Sequence, residues 1–248
     1  MHVFITGGSK GIGQGMVVEF CKRGHSVSFT GTSEKSVNEG LKDITGNVAG
    51  FVADVRFKNQ IETAMAQALE KYVAIDIWIN NAGVSQDNLE VCDLSEEEIK
   101  KVVDINVSGM VIGTSVALTQ LKKQGYGRVY NMEGLGSNNM KIAKTLVYGG
   151  SKRFLSYFSQ GCNKELKEFP EIFVGTLQPG MVFTALLLDQ MSDDGMKIAR
   201  ILGSKVEVVT PFLVKQMIKG KQTIKYLTFG KSMWRFMSSP FSKRNQEF

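Results

Sequence analysis

Two polar side chains, Tyr148 and Lys152 in VYGGSKRF, stand four residues apart. On a helix that spacing puts them on one face, a single turn from each other. A phenol by itself, with a pKa of about 10, ionises slowly near neutral pH. An ammonium one turn away stabilises the phenolate and lowers that pKa, which makes a proton-exchanging pair. The competing reading of Tyr148 is a buried tyrosine with a structural role. A second stretch carries its chemistry in the backbone. TGGSKGIG runs from Thr6 to Gly13, with spaced glycines at Gly7, Gly11 and Gly13 and with Ser9 and Lys10 between them. Such a turn, between a strand and a helix, lets the main chain close on a pyrophosphate. The helix that begins near Ile12 then points free N–H groups at that charge.

Composition narrows what these groups serve. The chain has 248 residues, 43% hydrophobic and 22% charged, which suits one domain spanning 1–248 and argues against disorder. The formal net charge is +6, with the basic residues dispersed and thickening only near the C-terminus. That favours an anionic ligand or surface and gives no sign of nucleic acid. Cys21, Cys92 and Cys162 are isolated, so neither a disulfide framework nor a zinc site is expected. His2 and His25 are the only imidazoles, and no metal is expected. No apolar run reaches membrane-spanning length, and a strand starting at His2 leads to the expectation of no signal or transit peptide and a cytoplasmic chain.

The elements that must position these groups alternate. HVFIT is a strand, and a helix follows from Ile12 to Arg23 with Gly24 as its stop. SVSFT, NVAGFVADV and the largely apolar AIDIWIN are further strands, separated by a short helix capped by Ser33 and a helix over 57–72. Ser95 with Glu98 reads as a capping box opening a long helix over 95–121. YGRVYNM, a helix over 146–168, EIFVGTL, a helix near 206–218 and a short strand in TIKYLTF complete the chain. Strands alternating with helices predict an α/β fold: a single Rossmann-type, doubly wound parallel sheet with helices on both faces.

In that context the motifs resemble the short-chain dehydrogenase/reductase family. TGxxxGIG is the family's spacing, and four more matches follow in order: NNAG (Asn80–Gly83), Asn106 in DINVSG, YxxxK (Tyr148–Lys152) and PGMVFT (Pro179–Thr184). The resemblance covers about residues 2–230. It implies a nicotinamide cofactor lined by Asn81, Ala82 and Gly83, with Asp54 and Val55 at the adenine. Pro179, Gly180, Val182 and Thr184 would reach the nicotinamide end, Thr184 at its carboxamide. NAD-preferring members carry an acid at the end of the second strand, and Gly31 stands there instead. Thr32 and Ser33 offer donors, Lys10 a cation and Lys35 further charge, a pattern similar to that of NADP-preferring members. The expected cofactor is NADP(H), with Lys10 otherwise a solvated loop lysine.

By the same resemblance Tyr148 donates the proton in carbonyl reduction. Lys152 binds the nicotinamide ribose as well as tuning Tyr148, and Asn106 holds a relay water. The chain departs from the family after the fifth strand. The usual NISSxxG is YNMEGLGS, so Glu133 and Gly134 replace the serines. The expected carbonyl-orienting hydroxyl is Ser137, eleven positions before Tyr148, with Asn138, Asn139 or no such group as alternatives. NMEGLGS, VYGGSK and PGMVFTALLL are together similar to the chlorophyll b reductase branch, which reads NMDGAGS, VYGSTK and PGMVLTxLLL. The implied reaction is NADPH-dependent reduction of the 7-formyl group of chlorophyll(ide) b, hence of a bulky apolar carbonyl. Another lipid, sterol or quinone carbonyl is a second reading. A non-catalytic NADPH-binding module is a third.

Two segments remain. Residues 185–203, with Leu186, Leu187, Leu188, Met191, Met196 and Ile201, read as a substrate lid, or as packing on the core or a partner subunit. The tail 231–248 mixes Trp234, Phe236, Met237 and Phe241 with basic residues, which suits peripheral contact with a membrane, or docking on its own or a neighbouring domain. The resemblance implies a homodimer or homotetramer through the helices at 95–121 and 146–168.

Overall fold

Strand β1 (His2–Thr6) is buried along its whole length, and its side chains feed two separate cores. Val3 and Ile5 pack on one side of the sheet with Met16, Val17 and Phe20, while Phe4 packs on the other with Ile61, Trp78 and Leu121. This is the period-2 alternation of a strand covered on both faces. The Phe4 and Trp78 rings stack with centroids 4.2 Å apart. This computed structural model describes residues 1–188, 191 and 193–239.

The other strands are β2 (Ser26–Gly31), β3 (Val48–Val52), β4 (Ile77–Asn80), β5 (Gly127–Met132), β6 (Ile172–Gln178) and β7 (Thr223–Lys225). They form one sheet in the order β3-β2-β1-β4-β5-β6-β7, with every pairing parallel. Helices α1 (Gly11–Lys22), α2 (Glu34–Leu41), α3 (Lys58–Tyr72), α4 (Glu96–Val103), α5 (Gly109–Gln124) and α6 (Leu146–Glu165) connect the first six strands. Beyond β6 come α7 (Ala185–Leu188), α8 (Asp193–Leu202), α9 (Val206–Ile218) and, after β7, α10 (Phe229–Ser238). The order reverses between β1 and β4. A crevice opens there, outside the strand C-termini, where doubly wound sheets hold ligands.

The predicted fold is the observed one, with local differences. The single long helix is two helices, α4 and α5, joined by a π-helical turn at Asp104–Ser108 that contains Asn106. Against the expectation that no run is long enough, Glu96–Gln124 is long and apolar enough to cross a membrane by length and composition. Its buried side, including Val116, Ala117 and Leu121, covers the sheet. The capping box at Ser95 is only half formed. Ser95 Oγ accepts from Glu98 N at 3.1 Å, whereas the Glu98 carboxylate accepts from Asp87 N at 3.0 Å, tying the preceding loop to α4. A reciprocal box forms at α2 instead, between Ser33 and Ser36.

Candidate active site

The cradle at the end of β1 is built from backbone and small side chains. Gly7 and Gly11 have φ of +63° and +58°, a left-handed conformation that glycine adopts without strain. A Cβ at Gly7 would stand 2.9 Å from Ala82 Cα, and one at Gly13 would overlap the Gly7 carbonyl. Thr6 Oγ1 accepts from the backbone N–H groups of Asn81 and Ala82 at 3.1 and 3.2 Å. Asn81 Nδ2 donates back to Thr6 O and Gly7 O at 3.2 and 2.8 Å. The glycine loop and NNAG are therefore one hydrogen-bonded unit.

The N-terminus of α1 follows, with Lys10 as its extended N-cap and no side chain capping it. Those N–H groups fit a dinucleotide pyrophosphate, which the cradle leaves room to approach. Thr184 faces the loop from across the crevice, its Cγ2 placed 3.5 Å from where a Gly11 Cβ would stand. Val182 pairs with Ser204, and Phe183 N donates to Ser204 O at 3.0 Å, so PGMVFT is stitched to the chain beyond α8.

The adenosine end is more mixed. A side chain at Gly31 would meet Ser36 Oγ at 2.5 Å, so the acid's usual place is closed as well as vacant of charge. Thr32, Ser33, Lys10 and Lys35 are exposed around it. Glu34, in the first turn of α2, is an exposed carboxylate there that the sequence reading did not weigh. The Asp54 carboxylate is paired with Arg56 at 2.6 Å, and that hydrogen bond holds its pKa below the usual range. Val55 is buried in the core, where it abuts Gly109.

Tyr148 and Lys152 lie on α6, as their spacing predicts. Lys152 is buried. Its Nζ donates to Met132 O at 3.2 Å and lies 5.7 Å from the centroid of the Tyr148 ring. A Cβ at Gly83 would stand 3.3 Å from that Nζ and 3.2 Å from Asn106 Oδ1, so the glycine of NNAG leaves the ammonium its space. The expected lowering of the Tyr148 pKa is overturned. Burial pushes Tyr148 up to about 12 and Lys152 down to about 8. Desolvation disfavours both charged forms.

Asn106 is buried, with both polar atoms of its side chain engaged. Oδ1 accepts from Val84 N at 2.8 Å; Nδ2 donates to Val84 O at 2.9 Å and to Ser151 Oγ at 3.1 Å. Ser151 in turn donates to Tyr148 O at 2.6 Å. The side chain thus locks the loop after β4 to the turn of α6 that carries Tyr148.

Ser137 is not where the sequence reading aims it. Its Oγ donates toward Gly134 O and Lys152 O at 2.8 and 3.3 Å and accepts from Gly134 N at 3.1 Å. The hydroxyl is buried in tying its own loop to α6. Gly134 is the position that faces the phenol, since a Cβ there would stand 2.5 Å from Tyr148 Oη. Any side chain in that place would clash with Tyr148; glycine lets the phenol pack against this loop. Asn138 Oδ1 accepts from Met140 N at 3.1 Å, and Asn139 is an exposed residue at φ +70°.

The model for short chain dehydrogenases matches residues 1–194. The chain belongs to that family. It is 31% identical over 92% of its length to the protein named probable chlorophyll(ide) b reductase NYC1 of Arabidopsis thaliana, of which the match covers 50%. It is also 31% identical over 86% of its length to the chlorophyll(ide) b reductase NOL of Oryza sativa subsp. japonica, of which the match covers 65%. The chain therefore spans between half and two thirds of these relatives. Among solved structures, a serine dehydrogenase complexed with NADP+ superposes with a TM-score of 0.81 over 93% of this chain and 96% of its own, at 24% identity.

In this short-chain dehydrogenase the described residues of 185–203 and 231–239 are partly docked and partly open. Leu186 on α7 and Ile198 on α8 are exposed, and Leu187, Leu188, Met191, Met196 and Ile201 are half-buried. The tail packs through Arg235, which is buried and donates to Leu202 O and, at 3.1 Å, to Ser204 Oγ. The opposite face of α10 is apolar: Phe229 is 80% exposed, Trp234 64% and Met237 73%. Phe241 and the rest of 240–248 lie outside the described residues. Among the described residues one group of side chains clusters ligand atoms within 4.8 Å of one another: exposed Glu90, Cys92 and Asp93, away from the motifs above.

Two site residues escaped sequence reading. Gln86 is buried and its Oε1 accepts from Tyr148 N at 2.8 Å while its Nε2 donates to Lys144 O at 3.1 Å. It steadies the first turn of α6, and no local pattern marks it. Glu133 registered only as a missing serine, yet it is a buried carboxylate at the end of β5.

Proposed function

We propose that this oxidoreductase is an NADPH-dependent reductase of a bulky apolar carbonyl, of the kind that converts the formyl group of chlorophyll(ide) b to hydroxymethyl. The observation that carries the reading is the buried Lys152 ammonium beside the Tyr148 ring, one turn apart on α6, in a chain that also presents exposed and half-buried apolar residues on α7 and α8. When bound, the nicotinamide supplies a hydride. The glycine loop and α1 hold its pyrophosphate, with Lys10, Thr32 and Ser33 toward a 2′-phosphate. Tyr148, kept protonated by burial, gives its proton to the carbonyl oxygen. Lys152 holds the ribose and a proton in reserve, with Asn106 completing the relay as the family resemblance implies. Ser137 shapes the loop beneath the carbonyl.

The exposed face of α10 supports peripheral contact with a membrane, from which an apolar substrate arrives, for an otherwise cytoplasmic protein. Exposed Val103 on α4 and Tyr157 on α6 support assembly of two or four copies through those helices. The engagement of Ser137 favours one competing reading, a non-catalytic NADPH-binding module. The test follows NADPH absorbance with chlorophyllide b beside smaller aldehydes and ketones, with Tyr148→Phe as control. Selective oxidation with chlorophyllide b that Tyr148→Phe abolishes is the expected result. Activity on other carbonyls alone would remove the pigment, and NADPH binding without any turnover would favour the module.

A further inference from the structure

Glu133 is an unusual residue to bury at the end of a central strand. Its side chain enters the crevice floor between β5, β6 and α6. Oε1 accepts from Ser156 Oγ at 2.7 Å, and Oε2 accepts from Gln178 Nε2. Both partners are neutral donors, one to each carboxylate oxygen. Among the described residues no lysine or arginine nitrogen lies within ion-pair distance of it. An isolated buried charge is costly unless a counter-charge offsets it.

The counter-charge is at hand. Lys152 Nζ donates to the carbonyl of Met132, the residue just before Glu133. Ser156, which holds the Glu133 carboxylate, is one helical turn beyond Lys152 on α6. The same turn of helix thus presents an ammonium to one side of residues 132–133 and a hydroxyl to the other. The other groups around Lys152 carry no charge in this range: Tyr148 on its own helix, Gly83 after β4 and Asn106 in the π-helical turn. Arg153, its neighbour on α6, donates to Ser137 O at 2.9 Å on the loop side.

We propose that Glu133 is a positioning residue for Lys152: its buried carboxylate is the negative charge that keeps the Lys152 ammonium charged and in place beneath the crevice. This deepens the reductase reading, on which it rests for the use of that ammonium. The electrostatics agree in sign, since burial lowers the Lys152 pKa and the Glu133 charge raises it again. The exchange of a serine pair for Glu133 and Gly134 then has one logic. Gly134 lets the phenol pack against the loop, and Glu133 strengthens the charge behind it.

The test reads Lys152 directly, so it stands whether or not a substrate is found. Protein labelled with 13C at lysine Cε is titrated by NMR, with the Lys152 signal assigned by its loss in Lys152→Met. The wild-type midpoint is expected near the value of about 8. In Glu133→Gln it falls by about one pH unit, and in Glu133→Asp, which keeps the charge, it stays within a few tenths of wild type. An unchanged midpoint in folded Glu133→Gln overturns the proposal. Should that variant not fold, the Lys152 midpoint is read in Glu133→Ser, which removes the charge and restores the hydroxyl usual at this position; the same fall is expected, and an unchanged midpoint overturns the proposal.

Where turnover is measurable, the alkaline limb of carbonyl reduction moves to lower pH in Glu133→Gln. Ser156→Ala, which removes only a neutral donor, leaves the limb in place. An equal displacement by Ser156→Ala would make Glu133 a brace and sink the proposal. Absence of turnover on every carbonyl would count against the reductase reading alone.

Discussion

The two walls of the crevice are built on different principles. On the cofactor side, the glycine loop and NNAG meet through main-chain groups, small side chains and one threonine hydroxyl. Positions such as Gly7 and Gly13 leave no room for a single extra carbon. On the side proposed to meet substrate, α7 and α8 present leucine and isoleucine to solvent, and the outer face of α10 presents phenylalanine and tryptophan. They are tied down at isolated points, such as Arg235 of α10 to Leu202 and Ser204. A cradle made of backbone is specified by geometry and tolerates little change. A wall made of exposed side chains can change its chemistry while the backbone stays put.

The sharpest test of that contrast sits where the walls meet. Tyr148→Phe is expected to lower NADPH-dependent turnover by about 10³-fold, in the range of a lost general acid, with NADPH binding by fluorescence titration unchanged. Equal loss of binding would mean that the two walls are not separable. On the cofactor side, Gly13→Ala forces a methyl against the Gly7 carbonyl and Asn81. It should cost about 1–3 kcal/mol of stability, seen as a lower Tm, and weaken NADPH binding. Wild-type stability in this variant would show that the cradle is more compliant than its contacts indicate. On the substrate side, Leu186→Ser should raise KM for an apolar aldehyde by several-fold up to about tenfold, the scale of one lost apolar contact. Its NADPH affinity and Tm should stay near wild type; a drop in both would return the lid to core packing. The smallest effect is expected for Lys10→Ala, because an exposed cation is screened. NADPH binding should weaken by about threefold and NADH binding hardly at all. An equal change for both would take the 2′-phosphate role from Lys10.

Much of this was legible in the residues. The apolar runs and their spacing marked all seven strands, most plainly β1 and β4, which are buried along their whole length. The spaced glycines and the Tyr148–Lys152 interval marked both ends of the crevice, because local backbone geometry sets those relations. The misses are equally specific. Ser95 and Glu98 have capping-box spacing, yet Glu98 is drawn away by Asp87 N from the neighbouring loop. The helix through Asn106 reads as continuous, yet a π-helical turn swells it there. Ser137 was the nearest hydroxyl in sequence to the expected place, but its loop folds so that Gly134 faces Tyr148.

What the order of residues determined by itself was the alternation of elements, the pyrophosphate cradle and the pairing of a phenol with an ammonium. Each of these depends on neighbours within a few positions, where 3.6-residue and 2-residue periods and glycine's freedom decide the outcome. Tertiary structure alone decided the charges and the contacts across the crevice. Only there does Lys152 lose its water and fall to about 8, Tyr148 rise to about 12, and Glu133 come to stand behind the lysine. Those relations join β4, β5, β6 and α6, whose residues are tens of positions apart. Desolvation and Coulomb interaction act through space, with no local signature in the chain.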